Sequence, residues 1–138
     1  MIHTTHTIRV RYAETDPMKY VYYGNYATYF EVARVELFRQ LGMSYQEIEE
    51  RGFWLPVSDF CIKYLKPALY DQNLEIHTFI RKMPGVKIEF EYEIYNASKE
   101  KITEAKTTLF FLNSQSGKIV KCPEFLQDML TKNWKPST

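Results

Sequence analysis

The sequence is poor in the residues from which metal centres and disulfide frameworks are built. Its 138 residues include only two cysteines and three histidines. Cys61 and Cys122 lie far apart in the chain, so we expect two reduced thiols rather than a disulfide. The histidines have no spacing of the HxxxH type, and we therefore expect no metal site.

Excess charge and long apolar runs are missing as well. The formal net charge is +1 at pH 7, so no overall field favours nucleic acid or an anionic membrane. No apolar run has the length of a membrane span, and residues 1–6 lack the layout of a signal peptide. These absences predict a cytoplasmic protein with neither nucleic acid nor membrane as a partner.

Aromatic residues are abundant instead. They make up 16% of the chain, with eleven tyrosines, within a hydrophobic fraction of 45%. Such side chains fill cores and also line pockets for apolar acyl or aryl groups. A chain of this length and composition fits one domain, which we assign to residues 1–138 with a core of about residues 6–130.

The hydrophobic period predicts an α+β fold. A strand at residues 7–12 is followed by a long helix from about residue 24, which Gly42 ends, and by a short helix that Ser44 and Glu47 begin. Alternating patterns then predict strands at 57–65, 74–82, 87–95, 103–112 and 118–121, and a last helix starts near Pro123. The result is an antiparallel sheet of about five strands around one helix. An uncovered edge strand in such a sheet favours a dimer.

Asp16 lies in the loop between the first strand and the long helix. A helix start presents unpaired N–H groups and the positive end of the helix dipole. A carboxylate near such a start could attack a carbonyl or activate water while the N–H groups stabilise the developing oxyanion. This arrangement indicates acyl-transfer chemistry. The structural alternative is that Asp16 only caps the helix or forms an Asx turn ahead of Pro17.

Residues 16–26, Asp-Pro-Met-Lys-Tyr-Val-Tyr-Tyr-Gly-Asn-Tyr, resemble the signature of the 4-hydroxybenzoyl-CoA thioesterase family, whose members are hotdog-fold acyl-CoA thioesterases. Arg11-Tyr12 and residues 30–34 and 62–71 support the resemblance, which covers roughly residues 6–130. It implies a hotdog fold and hydrolysis of an acyl-CoA or acyl-carrier-protein thioester without a cofactor. It also implies a homodimer or homotetramer with active sites at subunit interfaces.

The resemblance implies a role for individual residues. Asp16 would be the catalytic carboxylate, as nucleophile or as general base, and the Tyr23 backbone N–H would hold the thioester oxygen. Tyr22, Asn25 and Tyr26 are candidates for binding the substrate. Two positions depart from the family pattern, since many relatives have glycine in place of Lys19 and histidine in place of Tyr23.

Glu31 is a second candidate carboxylate on the long helix. Its spacing from Arg34 favours an ordinary (i, i+3) ion pair over a catalytic role.

Two other functions are alternatives to hydrolysis. A hotdog dehydratase would need a histidine, and none lies between His6 and His77. A non-catalytic acyl-binding or assembly module would use Asp16 as a cap only.

Overall fold

A computed structural model describes residues 1–136, in which an antiparallel sheet packs against one long helix. Two single turns of 3-10 helix, Tyr12–Glu14 and Tyr23–Asn25, lie between the first strand and that helix. The elements in chain order are β1 (Ile2–Arg9), α1 (Tyr26–Gln40), α2 (Tyr45–Glu50), β2 (Phe53–Trp54), β3 (Val57–Tyr64), β4 (Asn73–Ile80), β5 (Lys87–Tyr95), β6 (Lys101–Asn113), β7 (Ile119–Val120) and α3 (Glu124–Asn133).

The five longer strands are arranged in the order β1-β4-β5-β6-β3, and every pairing is antiparallel. The predicted α+β hotdog architecture is confirmed. The sheet has seven strands rather than about five, because the two-residue strands β2 and β7 pair with the end of β6. The first strand occupies residues 2–9 rather than 7–12. Its inward positions include the polar Thr4, which hid the alternation in the sequence.

The core lies between α1 and the inner face of the sheet. The predicted helical stripe is confirmed, since Tyr26, Phe30, Ala33 and Leu37 are buried. The Phe30 ring lies 4.4 Å from that of Tyr92 on β5, measured between centroids. In β5 the buried residues Ile88, Phe90, Tyr92 and Ile94 alternate with glutamates on the outer face. This alternation places apolar side chains towards the helix and charge towards solvent.

The ends of the helices follow the predicted capping signals. Gly42 adopts the left-handed conformation after α1, with φ of 102°, where a side chain would be strained. The Ser44 Oγ accepts a hydrogen bond of 3.1 Å from the Glu47 N–H and so caps α2. Residues 1–136 contain no helix that is both long and apolar enough to cross a membrane.

Strand β3 forms one edge of the main sheet. Among the described residues it pairs with β6 alone. Its side chains are mostly exposed, including the large apolar residues Val57, Phe60 and Tyr64. The sheet therefore presents an unpaired strand edge with exposed apolar side chains along its length.

Candidate active site

The loop that carries Asp16 is pinned at both of its ends. Thr15 and Val21 form an antiparallel bridge, and the Asp16 N–H donates to the Tyr20 carbonyl at 2.8 Å. The Val21 N–H donates to the Ala68 carbonyl, also at 2.8 Å, which ties the loop to the connection before β4. Lys19 at the tip has φ of 66°, the left-handed conformation that favours glycine. The loop is a tight hairpin rather than an open connection.

The two oxygens of the Asp16 carboxylate have different surroundings. Oδ1 accepts hydrogen bonds from the Met18 N–H at 2.9 Å and from the Tyr20 N–H at 3.2 Å. The first of these closes the Asx turn that was the structural alternative. Oδ2 has no hydrogen-bond partner among residues 1–136. One oxygen therefore fixes the orientation of the carboxylate, and the other is available for chemistry.

Asp16 lines a cavity of about 290 Å³ between its loop, the start of α1 and the end of β3. Four tyrosines and three apolar side chains dominate the wall. The lining residues are Asp16, Tyr20, Val21, Tyr23, Tyr26, Tyr64, Leu65, Lys66 and Pro67. Lys66 is engaged in an ion pair with Glu100. The cavity is thus an aromatic and apolar hollow with one carboxylate at its wall.

Tyr23 begins the 3-10 turn that leads into α1. Its backbone N–H has no acceptor among the described residues, as expected for the first position of a helical turn. Its carbonyl accepts a 3.3 Å hydrogen bond from the Tyr64 hydroxyl, and its side chain is 65% exposed. The following residue must be glycine for the Tyr22 ring to lie where it does. A Cβ on Gly24 would come within 2.9 Å of that ring.

Glu14 connects the parts of this site and was missed from the sequence. Its carboxylate accepts hydrogen bonds from the Tyr29 hydroxyl and the Arg11 N–H, each at 2.8 Å, and pairs with the Arg11 guanidinium at 3.1 Å. Its carbonyl accepts from the Tyr22 N–H at 2.9 Å and from Asn25 Nδ2 at 2.8 Å. The signal available in the sequence was the three-residue spacing of Arg11 and Glu14, which is the spacing of a capping box.

Electrostatics keep the Glu14 carboxylate charged. Burial alone would raise its pKa, but hydrogen bonds from Arg11 and Tyr29 outweigh burial and hold the pKa below its usual value. Burial and the Glu14 carboxylate both raise the pKa of Tyr29, which therefore stays protonated as the donor. Burial also raises the pKa of Tyr26 at the cavity wall.

Most of the chain matches one known protein family. Residues 10–130 match the family described as the thioesterase-like superfamily. YneP of Bacillus subtilis is 36% identical over 124 residues, which is 90% of each chain. The acyl-CoA thioester hydrolase YbgC of Escherichia coli O6:H1 is 33% identical over 99 residues, covering 72% of this chain and 74% of YbgC. The chain belongs to the thioesterase-like superfamily.

A solved structure supports the same conclusion. The DHNA-CoA thioesterase from Staphylococcus aureus superposes with a TM-score of 0.90 at 33% identity, covering 96% of this chain and 91% of that one. The resemblance to hotdog-fold thioesterases and the assignment as a thioester hydrolase are therefore confirmed.

The cavity of this thioesterase-like protein contains only some of the predicted site residues. Asp16, Tyr23 and Tyr26 line it together, although the Tyr26 side chain is buried in the core. Tyr22 and Asn25 do not line it. The Tyr22 ring lies against that of Tyr23 in a tilted arrangement, with 4.6 Å between centroids, and the Asn25 amide donates to the Glu14 carbonyl. Tyr20 and residues 64–67 of the wall were missed, although 64–67 belong to a segment that carried the resemblance.

Glu31 is separated from this cavity. It lines a second hollow of about 500 Å³ at the other end of β3, with Arg34, Trp54 and Val57 among its neighbours. The predicted ion pair with Arg34 is wrong. Arg34 is 8% exposed and its Nη1 donates to the buried Tyr92 hydroxyl at 3.1 Å, whereas Glu31 faces solvent. Among residues 1–136, no three His, Cys, Asp or Glu side chains are grouped so that they could hold a metal ion.

Proposed function

We propose that this protein hydrolyses acyl-CoA thioesters with Asp16 as the reacting carboxylate and the Tyr23 N–H as an oxyanion donor. The observation that carries the proposal is the division of labour within Asp16. Two main-chain N–H groups hold Oδ1, and Oδ2 is left without a partner at the wall of a cavity that Tyr23 also lines. A held carboxylate beside an unsatisfied N–H is the pair of groups that thioester hydrolysis needs.

Two routes use these groups. In the first, Asp16 Oδ2 takes a proton from water while the water oxygen bonds to the thioester carbonyl carbon. In the second, Oδ2 itself bonds to that carbon, the C–S bond breaks, and water later hydrolyses the mixed anhydride. In both, the carbonyl oxygen becomes negative and accepts from the Tyr23 N–H, and the thiol leaves as thiolate to be protonated. A donor of this kind typically contributes about 3 kcal/mol to the transition state.

The relatives and the cavity support acyl-CoA as the substrate class. YbgC is named an acyl-CoA thioester hydrolase, and the Staphylococcus aureus structure is that of a DHNA-CoA thioesterase. The tyrosines at the wall offer flat apolar surface, on which an aryl or alkyl acyl group could pack. An acyl thioester carried on a carrier protein would present the same carbonyl and sulfur.

A thiol-release assay tests the proposal directly. Wild type and Asp16→Asn are incubated with a panel of aryl, short-chain and long-chain acyl-CoAs, and free thiol is measured. We expect wild type to release thiol and the variant to lose at least about 100-fold in rate, since it lacks an anionic oxygen. Binding of acyl-CoA without turnover by wild type would instead support an acyl-binding module. Turnover by the variant near the wild-type rate would remove Asp16 from the mechanism.

We also propose that the active form is a homodimer or a homotetramer. The unpaired edge of β3 and its exposed apolar side chains favour association with a second copy, because an open edge strand readily pairs. The Asp16 cavity adjoins one end of this strand, at Tyr64 and Leu65. Sedimentation equilibrium measures the state in solution, and a monomer that retains full turnover would contradict the proposal.

A further inference from the structure

We infer that Glu14 is the positioning residue of this site, which holds the Asp16 loop and the Tyr23 turn in one fixed arrangement. This inference rests on the proposed function. Glu14 is 9% exposed and does not line the Asp16 cavity, so it does not touch a substrate there. It acts through the two residues that do line the cavity, one of which follows it by only two positions.

The side chain of Glu14 contacts two other parts of the chain. Oε1 accepts from the Arg11 N–H just after β1 and from the Tyr29 hydroxyl on α1, each at 2.8 Å. Oε2 accepts from Arg11 Nε at 3.2 Å and from Nη2 at 3.1 Å. All four contacts are geometrically ordinary hydrogen bonds, and together they leave the carboxylate little freedom. Residue 14 is thus locked between the end of the first strand and the central helix.

The main chain of Glu14 transmits this constraint to the oxyanion turn. Its carbonyl accepts both the Tyr22 N–H at 2.9 Å and the Asn25 side-chain amide at 2.8 Å. These two donors flank Tyr23 on either side in sequence. A carbonyl oxygen has two lone pairs, and both are engaged here. A displacement of residue 14 would therefore also displace the peptide that carries the Tyr23 N–H.

A direct catalytic role for Glu14 does not fit these contacts. A general base must reach the proton that it abstracts. The Glu14 oxygens are instead directed at the Tyr29 hydroxyl and at Arg11, and Glu14 does not line the Asp16 cavity. Small displacements of reacting groups are costly, because a misplacement of about 1 Å can reduce a rate by about 100-fold. Holding Asp16 and Tyr23 in register is therefore a sufficient role.

Kinetics of variants test the inference. Glu14→Ala is expected to reduce kcat by about tenfold to 100-fold and to leave KM within about threefold, since positioning acts on the reacting geometry. Glu14→Gln keeps a side-chain oxygen for Arg11 N–H and Tyr29, and should recover most of that loss. Tyr29→Phe removes one of the same contacts. The double variant Glu14→Ala/Tyr29→Phe should therefore be no slower than Glu14→Ala alone.

A control separates positioning from a general loss of stability. Ile48→Val removes one methylene from a fully buried residue of α2 and should lower stability without changing a contact of the site. We expect its kcat to match wild type at a temperature where every variant is folded. If Glu14→Ala also kept the wild-type kcat under these conditions, or if Ile48→Val lost as much kcat as Glu14→Ala, the inference would be overturned.

Hydrogen exchange provides a readout that does not depend on hydrolysis. Exchange of the main-chain N–H groups of residues 18–26 is followed by mass spectrometry in wild type, Glu14→Ala and Ile48→Val. We expect at least about tenfold faster exchange in Glu14→Ala alone. The carbonyl of residue 14 accepts from the Tyr22 N–H and would no longer be held in place by the side chain. Unchanged exchange in this variant overturns the inference even where wild type hydrolyses acyl-CoA. A wild type without hydrolysis but with this exchange pattern removes the proposed function and leaves the positioning intact.

Discussion

Two hollows lie beside the edge strand β3, and the carboxylates of Asp16 in one and Glu31 in the other have different surroundings. At the Tyr64 end, Asp16 is held through Oδ1 by two main-chain N–H groups. At the Val57 end, Glu31 has no hydrogen bond or ion pair among residues 1–136, and it is exposed. A flexible, solvated carboxylate has no fixed direction, whereas a carboxylate held on one oxygen presents the other in a defined place.

The difference arises from which structural element carries each residue. Asp16 lies on a hairpin in which the Met18 and Tyr20 N–H groups have no main-chain acceptor among residues 1–136 and are directed at its side chain. Glu31 lies on α1, where the backbone groups are used within the helix. Arg34, the nearest cation in sequence, is turned inward to the Tyr92 hydroxyl, which in turn contacts Thr107 at 2.7 Å. The loop therefore fixes its carboxylate, whereas this part of α1 leaves Glu31 in solvent and buries Arg34 in the core.

The largest expected effect comes from removing the Asp16 side chain altogether. Asp16→Ala and Asp16→Asn should both reduce thiol release by at least about 100-fold, since neither has an anionic oxygen. Only the alanine variant should lose stability, by about 1 kcal/mol, because Met18 and Tyr20 N–H lose their acceptor while asparagine retains one. Urea unfolding measures the difference, with Glu31→Ala as the control. Equal stabilities for the two Asp16 variants would contradict the held-oxygen arrangement.

The Tyr23 N–H can be removed without removing a folded turn. Tyr23 is the first residue of its 3-10 turn, a position that tolerates proline, and Tyr22 has the extended ψ of 133° that precedes proline readily. Tyr23→Pro should therefore reduce kcat by about 100-fold, the usual value of one oxyanion donor. Tyr23→Phe and Tyr23→Ala control for the hydroxyl and the ring, and we expect the phenylalanine variant to remain within about threefold. A collapse in Tyr23→Phe would move the role to the hydroxyl.

The charge on Glu14 predicts a pH-dependent contribution to stability. Its folded pKa lies below the ordinary value of 4.5, so the contribution is present above that pH and is lost as the pH falls through the folded pKa. Glu14→Gln should be less stable than wild type by about 1 kcal/mol at pH 7. The gap in unfolding free energy should shrink below pH 4.5, and thermal unfolding between pH 7 and pH 3 measures it. A gap that stays constant over this range contradicts the prediction.

A smaller gain in stability is expected at the tip of the Asp16 loop. Lys19 holds a left-handed conformation with φ of 66°, which costs a residue with a Cβ about 1–2 kcal/mol. Glycine avoids that cost but loses more entropy on folding, so Lys19→Gly should gain about 0.5 kcal/mol. Lys19→Ala retains a Cβ and should gain nothing. Equal unfolding midpoints for the two variants would show that the loop relaxes around residue 19.

Much of the secondary structure could be predicted from the sequence. Helices, strands and the cap at Gly42 follow from hydrophobic period and capping residues, because these depend on neighbours close in sequence. Asp16, Tyr23 and Tyr26, which the motif offered as site residues, line one cavity, and their roles stay predictions. The wall formed by residues 64–67 and the contact between Glu14 and Tyr29 join segments distant in the chain. Nothing in the local pattern specifies such tertiary contacts.

Two polar side chains are directed by contacts that local spacing does not specify. Substrate binding by Asn25 stays a prediction, and its amide donates to the Glu14 carbonyl eleven residues earlier. The Glu31–Arg34 pair has the right helical spacing, but burial against Tyr92 turns Arg34 inward. Spacing predicts which groups could meet along one helix, whereas packing decides where a long side chain is directed.

The smallest expected effect is at Glu31, and it completes the comparison of the two hollows. Glu31→Gln removes a charge from an exposed residue that has no hydrogen-bond partner in the described chain and does not line the Asp16 cavity. We expect kcat and KM for acyl-CoA to stay within about twofold of wild type, because neither transition-state nor ground-state contacts change. Steady-state thiol release across pH 5 to 9 measures both, beside Asp16→Asn. A loss that exceeds tenfold in kcat at unchanged KM would make Glu31 a second reacting carboxylate. The substrate would then have to contact it in an assembly in which a second copy pairs with β3.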